Sequence, residues 1–143
     1  MARLAGDWFV AAVLDAFFAA LATIFAKIGL QGVDSLVATA LRSVVMLGIA
    51  MAMAIALRGP QALGEVTRGQ ALYILLSGIA GGLSWILYFY ALQKGPTSPV
   101  ATIDKTSLLF IVVLSILVLG EKVTIKQAVA AALVVAALVL AAL

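Results

Sequence analysis

The 143-residue sequence contains no cysteine and no histidine. Those absences remove disulfide frames, zinc-finger spacing and every nucleophile system built on Cys or His, and no metal-ligand set remains. No Gly-x-x-x-x-Gly-Lys-Ser/Thr stretch occurs, so no phosphate-cradling loop ties the chain to ATP. Charge is scarce as well: 10% of residues carry one, against roughly 25% in soluble domains. Nine Lys and Arg against six Asp and Glu give a net +3 without any basic run. A nucleic-acid-binding surface needs its cations clustered on one face, and that is missing. What the chain has in excess is apolar side chain, 66% of all residues. A single domain this small cannot hide so much from water. The surplus faces lipid.

A membrane helix needs about 20 mostly apolar residues to cross a hydrocarbon core of about 30 Å. Five segments qualify, at about 8–30, 36–57, 71–93, 98–119 and 125–143. The breaks between them are short and carry turn chemistry. Gly29-Leu30-Gln31-Gly32 follows the first segment, and Asp34 or Ser35 is placed to cap the second. Arg58-Gly59-Pro60 stops the second, Pro99 suits the first turn of the fourth, and Gly120 closes it. Barrel strands would alternate apolar and polar residues over about ten positions, whereas these runs are apolar all round. The first segment has the charged start of a signal peptide, Arg3, yet Asp15 interrupts it and it runs beyond signal length. The fold class expected is an all-α membrane protein, a single domain of five transmembrane helices.

Orientation follows from Lys and Arg in the short loops. Arg3, Arg58, Arg68, Lys122 and Lys126 collect on the amino-terminal side, and Lys27 and Lys94 on the other. Five against two favours a cytoplasmic amino terminus in the cell inner membrane, with dual insertion left open. The last segment, almost wholly Ala, Val and Leu, suits close helix packing.

A charge inside the membrane costs about 2.5–3.5 kcal/mol on insertion scales, so each one is a candidate for function. Asp15 lies seven residues into the first span, roughly 10 Å along it. It reads as a proton-coupling or cation-binding group, or as an interfacial acid reaching back to headgroup water. Arg42 lies inside the second span, at the same level as Asp104 and Lys105 in the fourth. Arg42 and Asp104 are expected to pair, as a gate or as a permanent clamp; Lys105 can instead snorkel to the interface. In the third span Gly78, Gly81, Gly82, Trp85, Tyr88 and Phe89 recur at helical spacing. The glycines suit helix contact. Trp85 and Tyr88 either line a cavity for cargo or pack as core, and Phe89 reads as packing.

The run Gly82-Leu83-Ser84-Trp85, then Tyr88-Phe89-Tyr90-Ala91-Leu92-Gln93, Ile103-Asp104-Lys105 and Gly120-Glu121-Lys122-Val123-Thr124 carries a resemblance. So do Ile24-Phe25-Ala26-Lys27-Ile28-Gly29, Val33-Asp34-Ser35 and Ala38-Thr39-Ala40-Leu41-Arg42. Together, and in order over nearly the whole chain, they resemble the short EamA-type members of the drug/metabolite transporter superfamily. The resemblance implies a five-helix unit, two of which build a ten-helix transporter as inverted repeats around a site near the midplane. It therefore implies a partner, most simply an antiparallel copy of the same chain as a homodimer, with a parallel homodimer or a second chain as the alternatives. It also marks Arg42, Asp104 and Lys105 as hallmarks of the fold and Glu121 and Lys122 as the motif closing the fourth span. The carboxylate in the first helix of the related four-helix small multidrug exporters is similar to Asp15 in placement only.

The function expected is a secondary transporter that exports a small metabolite, amino acid or drug-like cation in exchange for protons. Asp15 would titrate, Trp85 and Tyr88 would line the cavity, and Arg42, Asp104 and Lys105 would form the gate. The alternative is a structural or accessory membrane subunit that transports nothing. An enzyme is not expected, because no nucleophile sits with a base, and no cofactor is implied. A channel would need a continuous polar stripe, which the last segment lacks.

Overall fold

A computed structural model describes residues 2–142. Among them there is no strand, and the all-α membrane class is as expected. The order is α1 (Ala2–Gly29), α2 (Ser35–Arg58), a 3-10 turn (Pro60–Glu65), α3 (Arg68–Lys94), α4 (Thr97–Asp104), α5 (Ser107–Leu119) and α6 (Ile125–Ala142). Four stretches are long and apolar enough to cross a membrane: Trp8–Gly29, Ser35–Arg58, Arg68–Lys94 and Thr97–Leu119. The shortest has 22 residues, about 33 Å at the helical rise. The fifth apolar helix, α6, has 18 residues, about 27 Å, and so falls short of the other four. Large apolar side chains point outward all along these helices, Val44 at 68% and Leu117 at 74% exposure among them. Water would not tolerate an apolar surface of this extent; hydrocarbon is its natural surrounding.

The helix ends follow local chemistry. Asp34 Oδ1 accepts from the backbone N–H of Leu36 at 2.9 Å and of Val37 at 3.3 Å, capping α2 as expected. Gly120, in the left-handed region at φ 66°, ends α5. Two capping boxes of the form Thr-x-x-Gln open α3 and α6. Thr67 N–H donates to Gln70 Oε1 at 3.0 Å, and Thr124 N–H to Gln127 Oε1 at 2.8 Å.

The chain divides into two compact units, one ending at Gln93 and one starting at Lys94. The first holds α1, α2 and α3. Its buried residues gather where the turn after α1 meets the last turns of α3: Leu30, Phe89 and Leu92, with Ser35 and Thr39. The two buried hydroxyl residues sit one turn apart on α2, and Thr39 Oγ1 donates to the Ser35 carbonyl at 2.7 Å. Lys27 Nζ donates to the Leu92 carbonyl near the end of α3, where a cation suits the helix dipole. Gln93 Nε2 donates to the Val33 carbonyl at 2.8 Å. Polar ends of the helices are thus tied to each other's backbone rather than left open to lipid. Gly78, Gly81 and Gly82, which suggested helix contact, have nothing within 4 Å of an added Cβ.

In the second unit α6 packs against both α4 and α5, consistent with its small Ala side chains. The stretch expected as one continuous fourth span is broken after Asp104. Lys105 N–H donates to Thr102 at 3.1 Å and Thr106 N–H to Ile103 at 2.9 Å, and Leu108 and Leu109 repeat the same i to i−3 step. The helix tightens for a turn and then resumes, so backbone groups stay paired through the break.

Candidate functional site

The three helices of the first unit place an aromatic and cationic cluster beside a cavity. On α3, Trp85, Tyr88 and Phe89 fall at i, i+3 and i+4 and so share one face. Trp85 meets Tyr88 edge to face, with centroids 5.8 Å apart and planes at 89°. It meets Phe89 at 5.9 Å and 80°. Tyr88 is held from the other side, its hydroxyl 3.1 Å from Thr23 Oγ1 of α1. Thr23 also donates to the Ala19 carbonyl at 2.9 Å, so in the pair with Tyr88 the phenol supplies the proton. These contacts fix the plane of the Trp85 ring.

Arg42 of α2 lies on that ring. Its guanidinium carbon is 3.6 Å from the Trp85 centroid and 5.3 Å from that of Phe89. A cation on a ring face gains about 0.5–1 kcal/mol when exposed and about 2 or more when dehydrated. That recovers only part of the about 2.5–3.5 kcal/mol charged against an Arg inside a span. The ring supports the cation without neutralising it, and a guanidinium can still offer two N–H groups to a bidentate acceptor. Among the described residues of this unit, no carboxylate forms an ion pair with Arg42.

A cavity of about 390 Å³ opens beside the guanidinium. Small residues on α1 make the room, with Ala22, Ala26 and Gly29 at helical spacing, and Ala38 and Leu41 of α2 and Phe89 of α3 complete most of the wall. Arg42 is the sole charged residue in the lining. The volume falls in the lower part of the range of about 300–1,000 Å³ typical of small-molecule sites.

Of the residues singled out in the sequence, Arg42, Trp85, Tyr88 and Phe89 cluster together, but only Arg42 and Phe89 line the cavity. Trp85 and Tyr88, expected to line it, lie outside its wall and act on it through Arg42 and Phe89. Asp15 stands exposed on α1, seven residues before Ala22 and therefore on the same face. Asp104 and Lys105 belong to the second unit, at the break between α4 and α5, where Lys105 Nζ reaches Asp104 Oδ2 at 3.4 Å. Sequence reasoning missed Thr23 as the partner of Tyr88, and it missed Lys27 and Gln93 as cross-helix donors. A polar residue near a span end was the available signal for the last two.

The family model of the EamA-like transporter family matches residues 7–143, and the chain belongs to that family. An uncharacterized transporter in the cobO 3' region of a Sinorhizobium species is 39% identical to it over 119 residues, 83% of this chain and 84% of that protein. No solved structure matches. Family membership over nearly the whole length, with apolar helices of spanning length, makes this a multi-pass membrane protein and points to a transporter role.

Proposed function

We propose that this chain is one five-helix half of a secondary transporter and that two copies form the working unit. The observation that carries the reading is the cavity beside Arg42 and Trp85 in the first unit. A charge kept at this depth, supported by a ring and facing an apolar hollow, is costly for stability and useful for holding a solute. Dimerisation follows from the family's two-repeat logic, in which access alternates between paired five-helix units. The open glycine face at Gly78, Gly81 and Gly82 offers close approach to a second helix. An antiparallel pair requires insertion in both orientations, and a parallel pair the cytoplasmic amino terminus favoured by the loop charges. The membrane is the cell inner membrane, where the positive-inside rule operates.

Asp15 is the proton-coupling group in this reading. It continues the cavity-lining face of α1 two turns further along, about 10 Å from Ala22. Asp104 and Lys105 sit at a helix break, and transporters build solute and ion sites near the midplane from broken helices. Arg42, Asp104 and Lys105 are the gating residues of this reading. The test is uptake into proteoliposomes under an imposed pH gradient, with wild type and Asp15→Asn. Solute movement that follows the gradient in wild type and ignores it in Asp15→Asn supports the reading. Movement that is equally gradient-driven in both removes Asp15 from the coupling, and no movement of any solute leaves the accessory-subunit alternative.

A further inference from the structure

The chemistry of the cavity narrows the class of solute beyond transport as such, and the inference rests on the reading of this cavity as the solute site. Arg42 is the only charged residue in its lining, and no acidic side chain accompanies it. The remaining wall is Ala, Gly, Val, Leu and Phe. An organic cation placed there would meet a guanidinium of its own sign. A zwitterionic amino acid would satisfy its carboxylate on Arg42 and leave its ammonium against alkyl groups, with no acceptor side chain in the lining.

We infer that the cavity takes a monocarboxylate with a compact apolar body. The carboxylate lies edge-on to the guanidinium, whose carbon sits 3.6 Å from the Trp85 centroid. In that pose two parallel N–H groups donate to the two oxygens. The apolar body fills the hollow between α1 and α2, bounded by Ala22, Phe25, Ala38, Leu41 and Phe89. A small inorganic anion would use the same cation and leave the apolar wall unfilled, so the apolar body is what gives selectivity. The drug-like cation considered from the sequence is disfavoured by the same arrangement.

The test compares three probes that share a benzyl group: radiolabelled phenylacetate, phenethylamine and phenylalanine. Binding to the full chain in lipid nanodiscs is measured for wild type, Arg42→Gln and Arg42→Lys, and each protein is checked for helix content and oligomeric state. Phenylacetate is expected to bind wild type at least tenfold more tightly than either other probe. Arg42→Gln is expected to lose at least tenfold of that affinity, and Arg42→Lys to retain part of it through the charge without the bidentate fit. Tighter binding of phenethylamine or phenylalanine, or phenylacetate binding unchanged in folded Arg42→Gln, overturns the inference, as does the failure of all three to bind. Uptake of the same probes into proteoliposomes separates the two levels. Transport of the amine or the amino acid contradicts the carboxylate assignment while the transporter reading stands.

Discussion

Arg42→Met is the substitution on which stability and function should part company. The side chain is of similar length and removes the guanidinium without opening a large hole. An Arg inside a span costs about 2.5–3.5 kcal/mol, and the ring contact returns about 0.5–2 kcal/mol of it. The variant should therefore be more stable than wild type by about 0.5–3 kcal/mol, while solute binding at the cavity is lost. The size of the ring contact follows from a double-mutant cycle with Trp85→Leu. That substitution should weaken wild type by about 0.5–2 kcal/mol more than it weakens Arg42→Met. Reversible unfolding in mixed lipid and detergent micelles, followed by helix content, reads both numbers. Destabilisation of more than about 1 kcal/mol by Arg42→Met would refute the reasoning, because it would make Arg42 a structural clamp rather than a charge held in place for a ligand. Gain of stability with loss of function is the usual mark of a site retained for activity.

The hydrogen bond between Thr23 and Tyr88 links α1 to α3. A cycle of Thr23→Val and Tyr88→Phe should give a coupling of about 0.6 kcal/mol, the average for such bonds in membranes, and a value indistinguishable from zero would remove it from the fold. Asp34→Ala strips the cap of α2 and should cost about 1 kcal/mol in the same unfolding assay, with Asp34→Asn nearly neutral because the amide oxygen still accepts. Gly120→Ala forces a Cβ into the left-handed region at φ 66°; a loss of about 1–2 kcal/mol is expected, and an unchanged midpoint would argue against that cap.

Much of this molecule is written in local patterns. Long apolar runs put four of the five expected segments within a few residues of helices of spanning length, whereas the last segment forms only a shorter apolar helix. The Asp34 cap and the stops at Gly59 and Gly120 stand where turn chemistry put them. The Thr-x-x-Gln boxes at Thr67 and Thr124 were not singled out, although a capping box is a matter of spacing alone. The break at Asp104 was not legible. Neither Gly nor Pro occurs there, and the tightened turn keeps its backbone bonded, so hydropathy runs through it unchanged. The cluster of Arg42, Trp85 and Tyr88 was half legible. Each residue stood out as costly or deep within its span, yet depth along a helix says nothing of rotation about it. Counting residues from the membrane surface matched Arg42 to Asp104 by level alone, and it could not show that in its own unit the guanidinium also sits over the Trp85 ring.

The chain's lack of cysteine gives a clean background for one decisive measurement. Single substitutions Ala26→Cys and Ala38→Cys place a thiol in the cavity wall, and Val44→Cys and Leu117→Cys place one on outward apolar surface. Each is treated with a membrane-impermeant, negatively charged thiol reagent from both faces, in right-side-out and in inverted vesicles. If the hollow beside Arg42 is a solute site, it is reached by water from one side, and the two cavity positions react while the outward pair stays inert. Cavity thiols as unreactive as Val44→Cys and Leu117→Cys would contradict the account.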